Sequence, residues 1–293
     1  MMQFRRRKFI QTMAAAGAVS SLDLAAHAQQ RAPQFMFGNC ASPNSAAALK
    51  AAGFEYVEAT VAEAFKPNMS DAEFAPTLAK LKECVLPIRA CRIFFSKDFR
   101  LTGPDAAHEP ALKYGVTACR RADELGVPFI VFGSGGARSM PEGFDPAKGK
   151  EQFITFCKKL GDLIQDCKVT VVLEPLPIRS TNLLNKVAEG IDYVDTINRP
   201  RIQLLADIHH MLSEKEGPES IRKAGARILH CHIAELQGGS APGTYGEDFR
   251  GYFKALRDIG YVGGVTCECA WPKKNIDAAW RKAISTLREQ SKG

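Results

Sequence analysis

Short apolar runs alternate with longer amphipathic stretches along most of this chain. The runs are 35–38, 56–60, 88–95, 128–132, 169–174, 202–207, 228–233 and 265–270. Most are dense in Val, Ile, Leu, Phe or Cys, as expected of strands covered on both faces. Between them lie eight helix candidates: 45–52, 71–83, 107–125, 147–166, 182–198, 219–226, 248–259 and 276–289. In the second of these, Leu78, Leu81 and Val85 recur at helical spacing against Lys80, Lys82 and Glu83. Gly53, Gly126 and Gly260 stand ahead of strand runs, where a glycine commonly ends the preceding helix. Eight strands alternating with eight helices over about 260 residues predict a single-domain (β/α)8 barrel of the α/β class. A doubly wound sheet is the competing arrangement, but no Gly-x-Gly-x-x-Gly follows the first strand, where Gly38-Asn-Cys-Ala-Ser is found.

Composition supports a globular reading: of 293 residues, 45% are hydrophobic and 24% charged, which excludes a disordered chain. A chain of this size buries about three quarters of its unfolded surface and needs no disulfide or metal merely to fold. The formal charge of +7 is partly local, because Arg5, Arg6, Arg7 and Lys8 face only Asp23 within the first 28 residues. The remaining surplus is too small to suggest a nucleic-acid partner.

That basic cluster precedes a mildly apolar run and then Ala26-His27-Ala28, a small-x-small cleavage pattern. Arg6-Arg7-Lys8-Phe9-Ile10 resembles the twin-arginine export motif. Residues 1–28 are therefore expected to be an export signal read by the twin-arginine machinery, and 29–293 the barrel. The expected location is periplasmic or otherwise exported, and the mature protein is expected to have no membrane span, since the apolar run is short and weak. The nine cysteines include Cys91, Cys231 and Cys267 inside strand runs, where they read as small buried hydrophobes rather than a disulfide framework. Export of an already folded chain would carry such free thiols into an oxidising compartment.

In an eight-stranded α/β barrel the chemistry gathers at the C-terminal ends of the strands. Four successive runs carry metal-ligand residue types at or near their ends: Glu174, Asp207, His232 and Glu268. Their spacings of 33, 25 and 36 residues each correspond to one strand–helix unit. Any one of them alone could cap a helix or fill a core position. Three converging carboxylates, however, would repel without a cation to neutralise them. Three carboxylates and one imidazole suit Mn²⁺, Mg²⁺ or Co²⁺, with Zn²⁺ also able to bind.

Leu-Glu174-Pro, Asp207-x-x-His210, His-x-His232 and Glu268 together resemble the sugar phosphate isomerase/epimerase family of the xylose isomerase-like barrel superfamily. The stretch from Asp248-Phe249 through Gly260-Tyr261 resembles that family's segment before its last strand. The resemblance implies one divalent metal held by Glu174, Asp207, His232 and Glu268, with Glu174 and Glu268 also moving protons. The implied activity is a keto-sugar isomerase or epimerase acting through a metal-stabilised enediolate. It also implies His210 as a donor to a substrate oxygen, a small sugar or sugar derivative as partner, and a homo-oligomer as a possible assembly.

Other substrate-side candidates come from position. Arg138, in the glycine-rich Gly133-Ser-Gly-Gly136-Ala-Arg138 segment, could pair with a phosphate or carboxylate. Glu58 and Arg92 stand in the second and third strand runs, and Trp271 beyond the eighth could stack on a sugar face or pack in the core. Several ketose epimerases carry an arginine six residues after the metal histidine, where this chain has Gly238, so its grip on substrate should differ. A dehydratase or lyase on a keto-sugar or cyclitol is the alternative chemistry. Less favoured are a nuclease resembling the apurinic-site endonucleases, whose extra histidines are missing here, and a catalytically dead sugar-binding barrel.

Overall fold

In the computed structural model the described residues are 35–292. The expected export signal and its cleavage site lie outside them. Eight parallel strands run in sequence order and close on themselves, β1 pairing with both β2 and β8. They are β1 (Met36–Cys40), β2 (Tyr56–Thr60), β3 (Ile88–Arg92), β4 (Phe129–Phe132), β5 (Thr170–Leu173), β6 (Ile202–Asp207), β7 (Ile228–Ile233) and β8 (Gly264–Cys267). The main helices are Ala46–Ala52, Asp71–Lys82, His108–Leu125, Pro146–Leu163, Val187–Ile197, Glu219–Ala224, Arg250–Asp258 and Ile276–Gln290. The expected (β/α)8 barrel is the observed fold.

Local chemistry sets the boundaries. Ser70 and Glu73 form a reciprocal capping box at the start of Asp71–Lys82, each side chain bonding the other's backbone N–H. Gly53 and Gly126 adopt left-handed conformations that end their helices. The helix expected from residue 182 begins only at Val187. Asn185 Nδ2 instead fastens the preceding turn by donating to the carbonyls of Leu176 and Thr181, each at 2.8 Å. The third strand, expected to reach residue 95, ends at Arg92 because Ile93 turns the backbone to φ +56°.

Most of the apolar core lies between the barrel wall and the helices. Around β3 and β4 it is aromatic: Phe95 lies 5.1 Å from Phe132 and 5.5 Å from Phe156, centroid to centroid. Inside the barrel, a small apolar cluster of Val131, Val172 and Leu205 underlies polar residues. Tyr56 also occupies the interior: a Cβ on Gly38 of β1 would stand 2.1 Å from its ring. Its hydroxyl lies 2.7 Å from Thr266 Oγ1 of β8. Among the described residues, no helix is long and apolar enough to cross a membrane. All nine cysteines are free thiols, five of them buried.

Candidate metal centre

Glu174 follows β5 directly, Asp207 ends β6, His232 lies near the end of β7, and Glu268 follows β8 directly. Asp207 pairs in register with His232, and His232 with Thr266, so adjacent strands bring these side chains to one level of the barrel mouth. One donor atom from each of Glu174, Asp207, His232 and Glu268 lies within 4.8 Å of the other three. Around His232 Nδ1, Glu268 Oε2 is at 2.7 Å, Glu174 Oε1 at 3.1 Å and Asp207 Oδ2 at 3.9 Å.

The electrostatics follow from crowding. Burial raises the Glu174 carboxyl, partly offset by its bond to His232, and the Glu268 charge adds to the rise. Burial likewise pushes Asp207 up to about 6 despite His232, with Glu268 again contributing to the rise. Burial would lower the His232 imidazole, but Glu58, Glu268 and Glu174 outweigh it and hold it well above its usual value. Glu268 moves the other way: burial would raise it, but His232 and Arg92 bring it down. Three carboxylates around one ring nitrogen call for positive charge at their centre. Their hard oxygens, with a single imidazole nitrogen, fit a divalent cation.

Asp207 caps a helix with one oxygen and keeps the other among the candidate donors. Its Oδ1 accepts from the His210 backbone N–H at 3.0 Å and so caps the short helix Ile208–Ser213, while Oδ2 remains in the cluster. His210 reaches the same place, with Nδ1 3.2 Å from the Pro175 carbonyl and 3.3 Å from Asp207 Oδ2. Burial lowers its pKa, which favours the neutral ring. With the Nδ1 proton donated to the carbonyl, Nε2 of the neutral ring carries a lone pair and is left as an acceptor.

Glu58, expected on the substrate side, is fully buried beneath the cluster. Its Oε1 lies 2.9 Å from His232 Nε2 and its Oε2 2.8 Å from His230 Nε2. Burial would raise this carboxyl, but the two imidazoles hold it below the usual carboxylate range. An ionised Glu58 accepts the Nε2 proton of His232 and turns Nδ1 toward the carboxylates, the orienting contact common behind metal-bound imidazoles.

One further expectation is corrected. Arg138 has no exposed surface, and its guanidinium donates to the Glu174 carbonyl at 2.7 Å. It braces the β5 loop from behind instead of meeting an anion. Trp271 is half-buried and makes T-shaped contacts with Phe54 and Trp280, each at 6.3 Å, in line with the core-packing alternative.

Residues that sequence reasoning missed are Gly133, Cys40 and His230. A Cβ on Gly133 would stand 2.1 Å from Glu174 Oε2, so any side chain there would force that carboxylate out of its present position. The signal was present in the glycine-rich segment after β4, but it had suggested an anion cradle. Cys40 lies beside His232 and Glu268, with its thiol pushed up by burial and by neighbouring carboxylates. No pattern at the end of β1 distinguished it from the structural cysteines.

A family model described as xylose isomerase-like TIM barrel matches residues 46–290. An L-ribulose 3-epimerase of Methylomonas sp. strain DH-1 is 36% identical over 112 residues, which are 38% of this chain and 39% of that protein. A D-psicose 3-epimerase of Enterocloster bolteae is 33% identical over 112 residues, 38% of this chain and 37% of that one. The aligned segment thus spans under two fifths of the length of these curated relatives. A 3-keto-D-glucoside 4-epimerase from E. coli has a similar fold, with a TM-score of 0.75 at 20% identity, covering 87% of this chain and 100% of that one.

Proposed function

The chain belongs to the xylose isomerase-like TIM barrel family, and from that premise we propose that it is a divalent-cation-dependent epimerase or isomerase of keto-sugars. One observation carries the reading: donor atoms of Glu174, Asp207, His232 and Glu268 lie within 4.8 Å of one another at the mouth of the barrel. The 3-epimerases among its relatives act on sugars of this class by name.

Glu174, Asp207, His232 and Glu268 would hold the cation, which supplies Lewis-acid polarisation of a carbonyl when bound. The protein's own groups then move protons. One glutamate takes the proton from the carbon beside the carbonyl, and the other returns a proton to the opposite face, which inverts that carbon. Return to the neighbouring carbon instead interconverts aldose and ketose. His210 Nε2 accepts from a substrate hydroxyl and fixes the sugar's orientation, while Glu58 keeps His232 turned to the cation. Nearly complete burial of Asp207 and His232 limits the water that could compete for these protons.

The test is solvent-deuterium incorporation into a panel of ketoses, 3-keto-sugars and inososes with Mn²⁺, Mg²⁺ or Co²⁺, followed by NMR. Label at the carbon beside the carbonyl together with an epimer or isomer is the expected result. Label accompanied by loss of water would replace the isomerase with a dehydratase, and no label with any member would remove the proton-transfer reading.

We also propose export by the twin-arginine route, on the strength of Arg6-Arg7-Lys8-Phe9-Ile10 and Ala26-His27-Ala28. Replacing Arg6 and Arg7 together by Lys should retain the precursor inside the cell. Unchanged export of that double variant would remove the proposal.

A further inference from the structure

Glu174 and Glu268 both reach the cluster, but their surroundings differ. Arg92, the last residue of β3, spans the mouth to β8 and places Nη1 3.1 Å from Glu268 Oε1. Glu268 Oε2 lies 2.7 Å from His232 Nδ1, so both oxygens of this carboxylate are engaged. Glu174 engages His232 through Oε1 at 3.1 Å. Its Oε2 faces Gly133, where the missing side chain leaves it space.

Two further observations single out Arg92. Its Nε is buried with no partner, so the guanidinium is oriented toward Glu268 at the expense of one of its own donors. The next residue, Ile93, adopts φ +56°, a region that a β-branched residue enters only when its surroundings impose it. This turn ends β3 and sets where Arg92 leaves the strand. A guanidinium is suited to such a brace because its planar donor fork holds a carboxylate in a defined orientation.

We propose that Arg92 is a positioning residue that makes the two glutamates unequal. Holding Oε1 of Glu268 limits that carboxylate to one oxygen toward the cation, and leaves Glu174 as the glutamate with an oxygen free to take the substrate's proton. In that step the substrate C–H bond breaks, its proton passes to Glu174 Oε2, and the electron pair moves into the adjacent carbonyl to give the enediolate. The inference rests on the cation-dependent proton-transfer reading above.

The experiment uses the full chain loaded with Co²⁺, whose visible absorption reports its coordination. Arg92→Gln frees Glu268 Oε1, so the cobalt band should shift in position and intensity. Arg92→Lys, which keeps a cationic donor, should restore it at least in part. A cobalt spectrum and affinity in Arg92→Gln identical to wild type would overturn the brace. A wild type that binds no Co²⁺ would instead overturn the reading of the site and the brace with it. A second measurement does not depend on whether the Arg92 variants fold. Glu268→Gln should retain solvent-deuterium exchange into the substrate while losing product, and Glu174→Gln should lose exchange by at least about 10²-fold. The reverse pattern would overturn the assignment.

Discussion

In the β5–β8 half of the barrel, every strand end carries one member of the Glu174, Asp207, His232 and Glu268 cluster. In the β1–β4 half none does, yet each strand contributes something that surrounds the cluster. β1 ends in Cys40 beside His232 and Glu268. β2 sends Glu58 beneath His232, β3 sends Arg92 to Glu268, and the loop after β4 begins with Gly133, against which Glu174 lies. One half presents the donor atoms, and the other contacts three of the four donors, His232, Glu268 and Glu174, from behind or beside. Position in the barrel is therefore a poor guide to importance, because a carboxylate turned the wrong way is as ineffective as one removed.

The largest expected effects test the donor half. Glu174→Gln and Glu268→Gln keep the side-chain shape but cannot accept a proton. Each should lower turnover by at least about 10²-fold, the usual size of a general acid–base contribution. Near-wild-type turnover in either variant with cation bound would reduce that glutamate to a ligand and remove the two-carboxylate scheme.

Gly133→Ala tests the supporting half without deleting any polar atom. The new Cβ would meet Glu174 Oε2 at 2.1 Å, so the carboxylate must move by an ångström or so. Turnover should fall by about 10²-fold, as for other misplacements of that size, while the cation remains bound. Full turnover would mean that the orientation of Glu174 is not set by the loop after β4.

Glu58→Gln asks whether His232 needs its partner. A Gln has one oxygen to accept an imidazole N–H, where Glu58 serves both His230 and His232. Cation affinity, measured calorimetrically, should fall by about 10–100-fold. Unchanged affinity would show that strand geometry alone directs the imidazole.

The smallest effect is a dependence on pH. Asp207, raised to about 6 in the protein without a cation, must lose its proton to act as a ligand. Its proton therefore competes with the cation below that pH, and affinity should rise with pH until about 6, by at most about tenfold per unit from this group. Above that value its contribution levels off. Asp207→Asn should bind more weakly and lose this part of the slope. A slope that persists in full would place the competing proton on another residue.

Much of this was legible in the chain. The strand-helix alternation, the number of units and the four donor positions depend on local periodicity and on residues at strand ends, and both survive in a linear string. The burial of Cys91, Cys231 and Cys267 follows from the same apolar patterning. The roles of Glu58 and Arg138 did not follow, although each residue was noticed. A residue type states which atoms are available, and spacing states which level of the barrel they reach. Neither states which atom is already taken.

That remaining part is decided by barrel closure. Glu58 meets His232 only because β2 and β7, 174 residues apart at these positions, face each other across the interior. Arg92 meets Glu268 only because the ring closes between β8 and β1. The Glu174 carboxylate keeps its present position because the loop after β4 has no side chain there. The sequence by itself determined the fold and which residues could serve a cation, because those properties repeat with the period of the backbone. Tertiary structure alone decided which oxygen or nitrogen is free and which is held, because hydrogen bonds and ion pairs act over a few ångströms between atoms that chain order leaves far apart.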